Sequence, residues 1–531
     1  MGFGTVLDAS KLNSKGTGFH EDGRGNHRYD EIGYNVVACG DVNGDGLQDH
    51  MMGGYRDGKQ VAYVVFGSKS YKATTHPETD LNGHNGFTIT RNATEPYTVF
   101  SPMNEAIGDM NQDGFADVAM SYRSHGTYVV FGGPSLPKEV DVGDLDGTNG
   151  FFLQGTGHFL LGYSVAGGGD INGDGISDLV VSAAEVLFVL FGNRTGFNAT
   201  VHVEDLYTWR NNGFRIDAVD SGYPDVSVAD VTADGYADIL VTGWSTAPYD
   251  PHYGINDAVF MVRGRKSPLF REPFSLAEDA SSEIACLYPG STCRYVSAVG
   301  DVDNDGVGDF GLATRRHQAY VVFGVGTTEG LPPFTDLETL IEEGGASMIT
   351  YNGGTEVFDN FATQITAAGD LDGDGIDDVI LNTGDLWCCN RKGDAYVIFG
   401  RPRNEWPKNL HAKNLQVGEG FRVDNIYRTS TWSWNSVAGI GDCNGDGLDD
   451  AVVATIEGKG RANIIFGRRD NERAAPDNLD DAGTSFVDAE AEVDELLAET
   501  NEITRLPQDR EVPRFAKQRM RDRPTRSLLP P

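Results

Sequence analysis

Short apolar runs of four to six residues recur along the chain, each closed by a turn rich in glycine, asparagine or aspartate. The clearest series is YVVFG at 63–67, YVVFG at 128–132, FVLFG at 188–192, YVVFG at 320–324, YVIFG at 396–400 and NIIFG at 463–467, with FMVRG at 260–264 as a variant. A second series opens on Gly-Phe: GFTIT at 86–90, GFRID at 213–217 and GFRVD at 420–424. Two further runs flank an acidic turn in every period, as Val36–Gly40 and His50–Gly53 do in the first. Four such runs per period predict four β-strands, and seven periods predict an all-β, seven-bladed β-propeller of four-stranded blades.

The acidic turn is the most regular feature. It reads DVNGDGLQD at 41–49, DMNQDGFAD at 109–117, DINGDGISD at 170–178, DVTADGYAD at 230–238, DVDNDGVGD at 301–309, DLDGDGIDD at 370–378 and DCNGDGLDD at 442–450. Three carboxylates in one tight turn repel one another, by roughly 4 kcal/mol per pair 4 Å apart at an effective dielectric of 20. A hard cation with six to eight oxygen ligands relieves that repulsion, and calcium suits a flexible loop. The candidate ligands are therefore positions 1, 3, 5 and 9 by side chain and position 7 by carbonyl. They are Asp41, Asn43, Asp45, Leu47 and Asp49 in loop one, and Asp109, Asn111, Asp113, Phe115 and Asp117 in loop two. Loop three offers Asp170, Asn172, Asp174, Ile176 and Asp178, and loop four Asp230, Thr232, Asp234, Tyr236 and Asp238. Loop five offers Asp301, Asp303, Asp305, Val307 and Asp309, and loop six Asp370, Asp372, Asp374, Ile376 and Asp378. Loop seven offers Asp442, Asn444, Asp446, Leu448 and Asp450.

An EF-hand would carry Glu at position 12. Here that position is Met52, Met120, Val181, Val241, Leu312, Leu381 or Val453, each in an apolar strand. The loops are 60 to 72 residues apart, which also excludes a nine-residue calcium β-helix repeat. One copy alone reads as easily as a polar turn without metal; seven matched copies do not.

Charge changes the picture only in this light. The formal net charge of −37 over 531 residues looks like a solvating acidic surface, yet seven calcium ions would offset 14 of it. So acidic a chain is a poor nucleic-acid binder. No apolar run approaches the 18 or so residues of a membrane span.

Aspartate loops between strands one and two, followed by a Phe-Gly strand, resemble the FG-GAP repeats of integrin α-subunits and their relatives. The resemblance covers roughly residues 3–469. It implies calcium loops on one face of an integrin-α-like propeller and ligand-binding loops on the other. The Gly-Ala-Pro element is absent: Gly53-Gly54-Tyr55, Ser182-Ala183-Ala184 and Thr314-Arg315 follow the loops instead. The sequence also lacks the leg domains, membrane helix and inserted domain of an integrin subunit.

Strand bookkeeping leaves blade seven without a fourth strand after Phe466-Gly467, while Gly18-Phe19-His20 is an orphan fourth strand at the other end. The strand near 18–22 is expected to complete blade seven within a 1–469 propeller. Residues 470–531 form an acidic then basic tail, expected to be mostly disordered or helical. Ala489, Val493, Leu496 and Leu497 form the apolar side of one helix there. The tail reads as a solvated linker, with partner docking or processing at its arginines as the other reading.

Cys286 and Cys293 are close enough in sequence to bridge, Cys388 and Cys389 are adjacent, and ring closure makes Cys39 and Cys443 neighbours. No CxxC pattern points to zinc. Sequons at Asn92, Asn193 and Asn198 are candidate glycosylation sites. Extracellular calcium modules bind weakly, and calcium is abundant only outside the cytosol, so the expected compartment is extracellular or the cell surface. Met1-Gly2-Phe3-Gly4 is no signal peptide, and Phe3-Gly4 resembles the end of a third strand, so a segment of a longer precursor is expected.

The face opposite the calcium loops is expected to carry function. Loops between strands two and three bring Arg56, Lys59, Arg123, His125, Arg315, Arg316, His317, Arg391 and Lys392 there. Loops between strands four and one bring Tyr29, Tyr97, Tyr223, Tyr288, Tyr351, Tyr427, Trp432 and Trp434. Arg315, Arg316, Trp432 and Trp434 are the principal candidates for an anionic or glycan ligand. The bland alternative is scattered surface charge with aromatics packed under loops. The expected function is a non-catalytic, calcium-stabilised module that binds a protein or glycan. The alternative is a carbohydrate-active enzyme such as a propeller polysaccharide lyase, or an accessory propeller of an enzyme. No nucleophile elbow, HExxH or phosphate loop supports catalysis.

Overall fold

The computed structural model describes residues 6–469 apart from stretches at 15–16, 24–31, 57–58, 72–73, 92–99, 103–106, 123–125, 156–160, 185, 207–211, 218–223, 246–255, 267–273, 277–283, 289–292, 315, 327–333, 352–360, 384–393, 425, 427–434 and 457–459. The chain divides into two units, Met1–Arg473 and Ala474–Pro531. The second lies outside the described residues, as does the helix expected in it.

Seven sheets account for the strands of the first unit. Blade one shows the pattern: Ile32–Gly40, Asp49–Arg56, Lys59–Val65 and Gly86–Thr90 pair antiparallel in chain order. The acidic loop joins its first and second strands. The third strand ends at Val65, directly before Phe66-Gly67, which opens the connection to strand four. Alternation along each strand sends side chains to both faces of the blade, and both faces are covered by neighbouring blades. Seven buried apolar clusters result, one between each pair of adjacent blades, including blade seven with blade one. Mostly small residues of the first strands, Ala38, Gly167, Ser297, Thr366 and Ala438 among them, line a cavity of about 530 Å³. The propeller fold expected from the repeats is therefore the fold observed.

Each sheet has one strand more than the four expected, a short parallel strand on its outer edge. Glu139–Asp141 pairs with Gly86–Thr90, although it belongs to the connection between strands three and four of blade two. Thr200–His202, Phe274–Ser275, Phe334–Asp336 and Asn409–His411 repeat this on blades two to five. Every such connection thus reaches back to cover the preceding blade's edge, which would otherwise offer unpaired backbone groups.

The N-terminal segment closes the ring by the same rule. Gly18–Asp22 pairs antiparallel with Arg461–Ile465 as the fourth strand of blade seven. Val6–Asp8 pairs parallel with Gly420–Asp424 as the fifth strand of blade six. Thr74–Thr75, from blade one, adds the fifth strand of blade seven. Phe19 is buried and stacks on Tyr71 of blade one at 4.1 Å, and Asp22 takes two hydrogen bonds from Arg461 at 2.5 and 2.9 Å.

The Cys286–Cys293 bridge that the sequence spacing allows is not formed. The two residues lie on strands of different blades and pack in different clusters, and Cys293 Sγ–H donates to the Tyr295 carbonyl. Cys39 and Cys443 are buried free thiols.

Candidate metal loops

All seven acidic loops fold on one hydrogen-bond plan. The position 1 carboxylate accepts two backbone N–H groups from its own loop. In loop one Asp45 N–H donates to Asp41 Oδ1 at 3.0 Å and Gly46 N–H to Asp41 Oδ2 at 2.8 Å. The same pair recurs on Asp109, Asp170, Asp230, Asp301, Asp370 and Asp442. The position 5 aspartate in turn accepts the N–H of position 7, so Leu47 donates to Asp45, and Phe115, Ile176, Tyr236, Val307, Ile376 and Leu448 do likewise. This turn needs a left-handed residue at position 6, where φ runs from 83° at Gly175 to 94° at Gly114.

Position 9 is the anchor. Asp49, Asp117, Asp178, Asp238, Asp309, Asp378 and Asp450 are fully buried. One oxygen of each accepts the N–H of position 2, as Val42 donates to Asp49 Oδ2 at 2.8 Å. The other accepts the N–H of the glycine that follows strand three, as Gly67 donates to Asp49 Oδ1 at 2.8 Å. That glycine has no room for a side chain: a Cβ on Gly67 would lie 2.6 Å from Leu47 Cβ and 2.8 Å from the Gln48 carbonyl oxygen. The Phe-Gly motif and the aspartate loop, whose bonded glycine and anchor are 14 to 26 residues apart in sequence, are thus one structural device.

Burial of these carboxyls opposes their ionisation. It pushes Asp49, Asp178, Asp238 and Asp450 up to about 7 and Asp117 and Asp309 up to about 8. Asp378 also lies well above the usual carboxylate range for the same reason, with Gly400 N–H acting the other way.

The loops are also bonded to one another. The residue after each Phe-Gly or Arg-Gly pair donates its N–H to the position 2 carbonyl of the preceding blade's loop. Ser68 donates to Cys443, Gly133 to Val42, Asn193 to Met110, Arg265 to Ile171, Val325 to Val231, Arg401 to Val302 and Arg468 to Leu371. Seven backbone bonds therefore link the loops in a closed circle.

Whether the donor set suits a cation is decided by acceptors left without a partner. Asp303 is 2% exposed and its Oδ1 has no hydrogen-bond partner; Asn172 Oδ1 is buried in the same condition. A buried acceptor in that state costs on the order of 1–3 kcal/mol, and a cation between it and its neighbours removes the cost. Carboxylate oxygens of Asp301, Asp303 and Asp309 lie within 4.8 Å of one another, as do those of Asp370, Asp372 and Asp374, close enough to hold one metal ion. The residues present fit a divalent cation there. Around loop five Arg403 binds Asp303 Oδ2 and reaches Asp305 Oδ2 at 3.0 Å, fixing two of the candidate ligands from behind.

The opposite face is only partly described. Arg316 is exposed, whereas Arg315, Trp432, Trp434, Arg123, His125, Arg391, Lys392, Tyr29, Tyr97, Tyr223 and Tyr427 lie outside the described residues. Arg56 is engaged by Glu139 at 2.8 Å, and Tyr351 packs against Phe361 with Lys413 over its ring. Asn193 is half-buried and Asn198 exposed; Asn92 lies outside the described residues.

The FG-GAP repeat family matches residues 161–196, which hold strands one to three and the loop of blade three. The chain is 28% identical to human integrin alpha-7 over 31% of its length and 24% identical to Caenorhabditis elegans integrin alpha pat-2 over 54%. Those alignments span 13% and 24% of the two relatives' own length. A solved BBS1N structure, in complex with ARL6DN, covers 85% of the chain and 97% of its own at 9% identity, with a TM-score of 0.41. No described helix is long and apolar enough to cross a membrane. The chain folds as a seven-bladed β-propeller that carries a match to the FG-GAP repeat and is similar to integrin α-subunits.

Proposed function

We propose that this propeller is a calcium-stabilised interaction module that works outside the cytosol and binds a protein or glycan on the face opposite its loops. Positions 1, 3, 5 and 9 would hold calcium by side chain and position 7 by carbonyl. The ion would supply no chemistry beyond neutralising converging carboxylates. The observation that carries the reading is the buried, unpartnered Asp303 Oδ1 beside Asp301 and Asp309. Likeness to integrin α-subunits supports an interaction role over catalysis. Calcium sites that bind at about 10⁻⁴ to 10⁻³ M fill only where calcium is abundant, which supports the compartment.

Candidate contacts are Arg315, Arg316, Trp432 and Trp434. A protein and glycan array run with and without calcium tests the reading, with a turnover assay on each hit. Binding without product is expected, and Arg315→Ala with Arg316→Ala weakens it and lowers its salt dependence while the melting temperature holds. Product formation, or normal binding by both this double variant and one lacking Trp432 and Trp434, overturns the assignment.

A further inference from the structure

Loop four differs from the other six in two linked ways. Its position 3 residue is Thr232, whose Oγ1–H donates to Asp238 Oδ2 at 3.1 Å. As in every loop, Asp238 Oδ1 is taken by the Phe-Gly-position glycine, here Gly264, and Oδ2 by the position 2 N–H of Val231, and the Thr232 hydroxyl adds a third donor to this anchor. The residue before Gly264 is Arg263, where the other six blades have phenylalanine. Its guanidinium reaches Asp234 Oδ2 at 3.0 Å with the two side chains 15% and 19% exposed.

Loop five shows what a guanidinium does without those changes. Arg403 lies over Phe323, the phenylalanine of that blade's Phe-Gly pair, and contacts Asp305, the counterpart of Asp234. Two unrelated chain segments thus bring an arginine to the position 5 aspartate of adjacent loops. Loop five has four aspartates and keeps Asp303 Oδ1 unpartnered. Loop four has three aspartates, and no such unpartnered oxygen is found there among the described residues.

We propose that Arg263 is the resident cation of loop four and that this loop takes no calcium, so the full complement is six ions. This rests on the calcium reading above. The guanidinium neutralises the position 5 carboxylate, and loop four has no fourth carboxylate at position 3, as loop five has in Asp303, to leave net charge for a divalent ion beside an arginine. Thr232 turns the position 3 oxygen into a donor toward Asp238 rather than an acceptor toward a metal. The arrangement keeps the loop folded, and its bonds to neighbouring loops intact, whether or not calcium is present.

Calcium-loaded protein, counted by native mass spectrometry, tests this with chelator-stripped protein as the blank. Six ions are expected. Asp234→Asn leaves the count unchanged, while Asp446→Asn, the equivalent change in loop seven, lowers it by one. Arg263→Phe with Thr232→Asn rebuilds the common pattern and raises the count by one. Arg263→Ala lowers the melting temperature equally in calcium and in EGTA, because its ion pair does not depend on metal. Seven ions in the unmodified protein, loss of one ion in Asp234→Asn, or no gain in a natively melting Arg263→Phe/Thr232→Asn protein overturns the proposal and leaves the calcium reading standing. No bound calcium at all overturns both.

Discussion

Asp377 Oδ2 accepts the backbone N–H of Asp301 at 2.9 Å, so the eighth residue of loop six holds the first residue of loop five. Asp449 holds Asp370 in the same way at 2.9 Å, tying loop seven to loop six. Gly300 and Gly369 make room for these carboxylates, since a Cβ on either would lie 2.2 or 2.3 Å from the incoming oxygen. Asp377→Ala leaves the Asp301 N–H without its acceptor, at a cost of about 1–3 kcal/mol. Asp377 is not among the candidate ligands of either loop. Calcium binding to Asp378→Asn and Asp377→Ala proteins separates the two roles: the first abolishes one site, the second weakens binding at loop five by several-fold without abolishing it. Unchanged affinity in Asp377→Ala would mean that the loops act independently.

Calcium removal is the broadest test. Binding to the native state alone stabilises by RT ln(1 + [L]/Kd), about 2.7 kcal/mol per site at a hundredfold excess over Kd. Several sites acting together predict a fall of many degrees in melting temperature on adding EGTA, reversed by calcium. Magnesium, which demands a near-ideal octahedron, restores it poorly. A melt indifferent to chelator would remove the metal from this fold.

Blade number and loop position were legible because both rest on side chains the backbone requires: glycine at φ near 86°, aspartate where backbone N–H groups converge. The fifth strands were not legible. Glu139–Asp141 and Thr74–Thr75 are two or three residues long, too short for a pattern, and their parallel partners lie in another blade. The circle of bonds between loops was hidden for a related reason. It is made by backbone groups of residues as different as Ser68, Val325 and Arg468, whose side chains carry no trace of it. Arg263 was visible as a break in the Phe-Gly series, but only the structure brings it to Asp234.

Ring closure rests on a short N-terminal strand, which makes it open to test. Phe19 is 1% exposed between blades seven and one, stacked on Tyr71, whose hydroxyl donates to the Cys443 carbonyl at 3.1 Å. Phe19→Ala empties that site and costs about 3–5 kcal/mol. Deleting residues 1–24 goes further, since it uncovers the edge of Arg461–Ile465 and the outer edge of Gly420–Asp424 together. Size-exclusion chromatography should show association of the deleted form, because exposed strand edges recruit other chains. A monodisperse deletion protein with an unchanged melt would show that the ring does not depend on this segment.

The anchor aspartates make metal-free stability fall as pH rises and, on the calcium reading, make metal binding tighten over the same range. Burial raises Asp49, Asp178, Asp238 and Asp450 to about 7 and Asp117 and Asp309 to about 8, against 3.8 for an ordinary carboxyl. Between those limits the metal-free folded protein holds more protons than the unfolded chain, so its stability falls as pH rises. The stabilisation is complete below about pH 4 and is lost progressively up to pH 7 to 8. Calcium binds the deprotonated loop, so its affinity rises over the same window and its binding releases protons. Melting curves in EGTA should therefore shift downward from pH 5 to pH 8, while the gap between calcium and EGTA curves widens. Asp117→Asn, which has no proton to lose at its anchor, should flatten the EGTA dependence and abolish one site. An EGTA melt that rises from pH 5 to pH 8 would show that these carboxyls are already ionised in the metal-free fold.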